Sequence, residues 1–164
     1  MAVRHRNPGI RPQPTIGRWL DHAARAAFPS VTTVLTMLLT LAPFGVAGQA
    51  VLLPAVTLAC VWFWSLFRPA AMPPPAVFAI GVLLDLLGYL PLGVGVLTLL
   101  STYGIALRLR RFLVQQGFAL SWLAFVPVAV GAAFLSWALV ALLTLRLIPI
   151  GLALFQAVLT ATLY

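Results

Sequence analysis

Carboxylates, imidazoles and thiols are scarce in this chain: Asp21, Asp85, His5, His22 and Cys60 are the whole set in 164 residues. Both histidines precede the first long apolar run, so one cysteine and two distant imidazoles make neither a metal centre nor an internal disulfide. Cys60 lies among apolar neighbours and reads as a small buried hydrophobe. No Ser, His and Asp set and no pair of carboxylates falls within the apolar region, so neither an enzyme nor a cofactor is expected. Asp85 stands apart, because it interrupts the apolar stretch 78–93. An Asp at the centre of a membrane helix costs about 2.5–3.5 kcal/mol, and each Leu, Ile, Val or Phe returns roughly 0.3–0.6. The ten such side chains in residues 77–92 offset it, provided that Asp85 faces protein or water rather than lipid.

The elements that must hold Asp85 are membrane helices by composition. Hydrophobic residues make up 63% and charged residues 7%, against roughly 45–50% and 25% in soluble domains. Mean hydropathy is +1.10. We therefore expect an all-α, polytopic integral membrane protein of about six spans. Residues 1–14 are basic and Pro-rich, a flexible cytoplasmic tail. Residues 15–28 place Ile16, Trp19, Leu20, Ala23 and Ala27 opposite Arg18, Asp21, His22 and Arg25, an amphipathic interfacial helix in which Asp21 pairs with Arg18 or Arg25. Pro29 is expected to end it, leaving residues 29–164 as one transmembrane domain.

Within that domain the runs are 30–46, 49–67, 76–90, 92–107, 121–145 and 150–164. The first follows a leader too long for a signal peptide and is taken as an uncleaved span. Residues 109–120 read as a link, and Pro127 as a bend in the fifth run. The third and fourth runs form a close hairpin, whose apolar turn is buried in protein or in the outer interface. The chain closes at Tyr164 with no flanking cation, which leads us to expect further sequence beyond it.

All ten basic residues are arginine, giving a net charge of +8. Six spans with a cytoplasmic N-terminus put five in the leader, Arg68, and Arg108, Arg110 and Arg111 inside, with Arg146 outside, as the positive-inside rule demands. These arginines are cytoplasmic anchors for anionic lipid. No basic and aromatic platform suggests nucleic acid.

Phe78, Gly81, Asp85 and Gly88 recur at spacings of three and four and should share one helix face, the glycines admitting a second backbone beside the carboxylate. Matching depths across the hairpin puts Thr98 opposite Asp85, with Gln156 and then Arg146 as further partners. Without a cation nearby, the Asp85 carboxyl is expected to keep its proton and donate. Gly93-Val-Gly95 lacks the lysine of a phosphate loop and reads as close packing. Asp85→Asn should then be tolerated and Asp85→Leu should not.

The string Phe78-x-x-Gly81-x-x-x-Asp85-Leu-Leu-Gly88-x-x-Pro91-Leu92-Gly93, followed by a run ending in Arg108-Leu-Arg110-Arg111, resembles the signature of the MreD family, small polytopic rod-shape-determining proteins of bacteria. Residue matching is concentrated in 78–111. The resemblance implies a non-enzymatic inner-membrane scaffold of the Rod complex, which regulates cell shape and lateral peptidoglycan synthesis. It would bind the bitopic MreC and, through the assembly, MreB, RodA and its transpeptidase. It also implies a six-helix architecture similar to the S components of energy-coupling-factor transporters. Two other readings remain: a small-molecule-binding S component or permease, and a lipid-handling role suggested by the Arg-rich face.

Overall fold

The computed structural model describes residues 16–42, 49–114, 118–145 and 151–164, with side chains placed from Ala27 onward except at 49–51, 118 and 152. These residues form six α-helices and one short 3₁₀ turn, without strands: α1 (Ile16–Leu41), α2 (Gln49–Phe67), the turn Pro69–Ala71, α3 (Pro74–Leu87), α4 (Val94–Leu113), α5 (Phe118–Thr144) and α6 (Gly151–Leu163). The expected all-α class holds among them.

Several boundaries differ from expectation. Pro29 does not end a helix, and α1 runs through it for 26 residues. Proline removes one backbone donor, which interrupts the hydrogen-bond ladder without obliging the chain to leave the helix. The Pro29 carbonyl stays in use, accepting the Thr32 and Thr33 hydroxyls at 2.9 and 2.8 Å. α4 continues through Arg108, Arg110 and Arg111 to Leu113, and α5 begins at Phe118, so the expected link over 109–120 is mostly helix. Leu, Arg and Phe are adequate helix formers and nothing in 109–113 is a breaker. The pairing of Asp21 with arginine lies outside the described side chains.

α2 is the centre of the bundle, packing on α1, α3, α4 and α6. It is apolar on every side, and Leu53, Leu58, Val61, Trp62 and Leu66 are buried. Trp62 stacks obliquely on Phe125 of α5 at 5.7 Å, and Phe125 on Tyr164 at 4.6 Å. α5 and α6 are further joined by Ser121 with Tyr164 at 3.1 Å and by the Trp122 indole N–H donating to the Ala161 carbonyl at 3.1 Å. Most other hydroxyls donate to the carbonyl one turn back in their own helix, as Thr57, Thr98, Thr102 and Thr160 do.

Many large apolar side chains lie on the outside. Val31, Leu35, Leu38 and Leu39 project from α1, Phe78 and Leu86 from α3, Leu142 and Leu143 from α5, and Leu154, Phe155 and Val158 from α6. One helical segment, Ala119–Thr144, is long and apolar enough to cross a membrane, at 26 residues or about 39 Å. Shorter apolar segments are Ala27–Leu41, Leu52–Phe67, Pro74–Leu87 and Ala153–Leu163.

Candidate functional site: a carboxylate that caps a neighbouring helix

α4 must start without help from its own sequence. Its N-cap is Gly93, which has no side chain to accept the free backbone N–H groups of the first turn. Nor can water satisfy them cheaply at an apolar hairpin turn. Asp85, on the last turn of α3 and 1% exposed, supplies what is missing. One carboxylate oxygen, Oδ2, accepts the Gly93 N–H at 2.8 Å, and the other, Oδ1, accepts the Gly95 N–H at 2.6 Å. The Val94 N–H between them bonds the Pro91 carbonyl at 3.2 Å, and the first bond of the helix ladder runs from Leu97 N–H to the Gly93 carbonyl at 2.9 Å.

This geometry explains how a buried carboxylate is tolerated. Charge-assisted bonds to two backbone donors are stronger than neutral ones, and the partial positive charge at a helix N-terminus favours an anion there. Helix N-termini commonly hold a ligand's phosphate or carboxylate. Here the chain provides the anion itself.

Glycines make the approach possible. A Cβ on Gly95 would stand 2.5 Å from Asp85 Oδ1, and one on Gly81 would stand 2.7 Å from the Val96 Cα. Backbone touches backbone at Gly81, so α3 and α4 pack without a side-chain layer between them. Gly93 serves differently, with φ at +105°, a conformation that side-chain-bearing residues rarely adopt. Tyr89 also takes a left-handed φ of 53° and is 97% exposed, and Leu92 projects outward too. The turn is therefore not sealed inside the protein.

The expected site residues divide accordingly. Asp85, Pro91 and Gly93 come together in the cap and its turn, Gly81 packs on Val96 of α4, and Gly88 ends α3 with its N–H on the Leu84 carbonyl at 2.8 Å. Phe78 does not join them. The buried face of α3 is Val77, Ile80, Gly81, Leu84 and Asp85, which leaves Phe78 exposed at its rim. Thr98 is not the partner of Asp85, because its hydroxyl donates to the Val94 carbonyl at 2.7 Å. The hairpin register is displaced from the depth-matched one, placing the start of α4 rather than its second turn beside the carboxylate. Gln156 lines a cavity instead, and Arg146 lies outside the described residues. Both oxygens of the Asp85 carboxyl accept backbone N–H groups.

At the other end of the bundle the arginines are exposed, but one has an internal task. Arg110 Nε donates to the Leu66 carbonyl at 3.0 Å, satisfying the C-terminal end of α2 with a cation. Arg108 and Arg111 on the same helix, and Arg68 just after α2, are exposed. Among the described residues no cluster of three His, Cys, Asp or Glu could hold a metal ion.

Sequence reasoning missed the Gly93 and Gly95 amides. The signal was present: a helix beginning Gly-Val-Gly after Pro-Leu, with no Ser, Thr, Asp or Asn at its start, needs an acceptor from elsewhere. In comparisons with known proteins, no family model, no curated protein and no solved structure matches this chain.

Proposed function

We propose that this chain is a non-enzymatic, multi-pass scaffold of the bacterial inner membrane, of the MreD type, with its N-terminus in the cytoplasm. It would bind the transmembrane helix of an MreC-like partner and so serve the cell-elongation complex. The observation that carries this reading is the use made of Asp85: the one acid of the apolar region is spent on joining α3 to α4, together with the glycines of the MreD-like string. A motif committed to holding two helices suits a rigid docking platform.

The apolar exterior supports membrane residence; α5, at 27 residues, has ample length to span, while the apolar part of α1 is the shorter Ala27–Leu41. α3 and α6, at 14 and 13 residues, are about 20 Å long and would need the bilayer to thin or their flanks to snorkel. Tyr89 at the exposed turn and Trp64 near the arginine end are of the type that anchors at the two interfaces.

Gly81 and Gly88 do not offer the partner a surface, since Gly81 is buried against α4 and Gly88 closes α3. The outward face of α4 suits a helix better. Leu97, Ser101, Gly104, Ile105 and Arg108 lie along it, all exposed, and a Cβ on Gly104 would touch nothing. Small residues let helices approach closely, and a hydroxyl there can bond across the contact. Affinity purification of tagged protein from native membranes, followed by mass spectrometry, should recover a bitopic MreC-like protein. Gly104→Leu should reduce that recovery while leaving the scaffold's own melting temperature unchanged. Undiminished recovery with Gly104→Leu would remove this face, and recovery of transporter ATPase subunits in place of the bitopic protein would remove the scaffold reading.

A further inference from the structure

Beneath the Asp85 cap lies a cavity of about 250 Å³, walled by α2, the end of α3, α4, α5 and α6. Small side chains open it: Ala129, Ala132 and Ala133 on α5 and Ala153 on α6 are all buried on its walls. Protein interiors are normally packed to near crystal density, with few voids larger than a water molecule. This one approaches the roughly 300–1,000 Å³ of ligand pockets.

Its chemistry is specific. No charged side chain lines it among the described residues, and the nearest carboxylate, Asp85, has both oxygens engaged by backbone donors. Three hydroxyls face it, on Thr98, Ser136 and Thr160, and each has spent its proton on a carbonyl of its own helix, at 2.7, 2.9 and 2.7 Å. They retain lone pairs and so can only accept. Gln156, half-buried on α6, has a side-chain amide with no hydrogen bond among the described residues. The walls therefore repel ions, reward hydrocarbon, and offer several acceptors and one amide to a single polar group.

We propose that this cavity binds a small, neutral, mostly hydrocarbon molecule bearing one hydroxyl, with the Gln156 amide as the handle for that hydroxyl and the alanines of α5 as the apolar wall. The site is independent of the scaffold role, since it uses no residue of the outward α4 face.

The test is photolabelling of the purified full chain in nanodiscs with a diazirine-bearing octanol, followed by peptide mapping. Label should concentrate in residues 129–140 and 153–160 and be competed by unlabelled octanol. Ala133→Leu on α5 and Ala153→Leu on α6 should each remove most of it, so that poor folding of one variant leaves the other to decide. Gln156→Leu should weaken competition by octanol about tenfold, roughly the weight of one hydrogen bond, and leave competition by octane unchanged. Three results would overturn the proposal: label spread over the exposed faces of α1 and α6 and indifferent to both fillers, equal labelling by a diazirine-bearing octanoate, or octanol competition unaffected by Gln156→Leu. None of these readouts depends on recovery of a protein partner.

Discussion

Asp85→Asn is the substitution that tests the cap most sharply, because it keeps size and polarity while removing one acceptor. The two carboxylate oxygens receive N–H groups at 2.8 and 2.6 Å. An amide can present its oxygen to only one of them, and its NH₂ must then face a backbone donor. One bond to a charged acceptor, worth about 1.5–3 kcal/mol, is lost. The favourable placement of an anion at the N-terminus of α4, worth roughly 0.3–2 kcal/mol, goes with it. Easier burial of a neutral side chain returns part of this, so a net loss on the order of 2–4 kcal/mol is expected. Asp85→Leu removes both acceptors and should cost more, about 4–6 kcal/mol, since one buried and one part-buried donor are left unpaired. For a chain of this size each kcal/mol moves the melting point by roughly 2–4 °C. Thermal unfolding of the purified protein in one detergent, followed by near-ultraviolet circular dichroism, should therefore order the three as wild type, Asn, Leu with clear gaps. Amide hydrogen exchange at Gly93 or Gly95 should accelerate in the Asn variant. If Asp85→Asn melts with the wild type and exchange at both glycines is unchanged, the two-oxygen cap is wrong and the simpler picture of a polar pin, indifferent to charge, returns.

Three further outcomes follow from the same contacts. Gly95→Ala sets a methyl 2.5 Å from Asp85 Oδ1 and should cost about 1–3 kcal/mol by the same melting assay, whereas Gly104→Ala, where a Cβ meets nothing, should be neutral or slightly stabilising. Arg110→Ala removes the bond to the Leu66 carbonyl and should lower stability by about 0.5–1.5 kcal/mol; Arg111→Ala, at an exposed arginine without such a bond among the described residues, should fall short of it in parallel melts. Trp62 is wholly buried and its indole N–H finds no partner among the described residues, so Trp62→Phe removes an unsatisfied donor worth about 1–3 kcal/mol and should be nearly neutral despite its lost volume, while Trp62→Ala should cost about 3–5 kcal/mol.

The sequence made the helices legible and their joints less so. Apolar runs separated by Pro and Gly gave elements close to α2, α5 and α6, because length and hydropathy alone decide where such helices sit. Pro29 misled because a proline signals a missing donor, and a missing donor is not a helix end. The end of α4 was misplaced for a related reason: Arg108, Arg110 and Arg111 lower hydropathy without lowering helix propensity. At the site, the choice of Asp85, Gly81 and Gly93 could be made from type and spacing. The partner of Asp85 is harder to read, because its donors are backbone amides, which every residue carries, and only the lack of a capping side chain at the start of α4 marks them.

That distinction bears on how a short hairpin can exist in an apolar protein at all. α3 has only 14 residues, about 21 Å, and α4 starts seven residues after it ends. A helix that begins inside apolar surroundings exposes backbone donors that neither lipid nor a leucine can satisfy. Moving the start outward into water would require a longer connection, and a Ser or Asp at the N-cap would need a backbone other than the left-handed one that Gly93 adopts. A carboxylate from the preceding helix removes both requirements, and it does so only if the second helix carries no side chain where the acid enters. Gly95 meets that condition, and the residues of the turn so positioned, Gly88, Leu90, Val94 and Gly95, also form one wall of the cavity below. The cap and the cavity are thus two sides of one piece of backbone, and a substitution that loosens the first should be read out in the second.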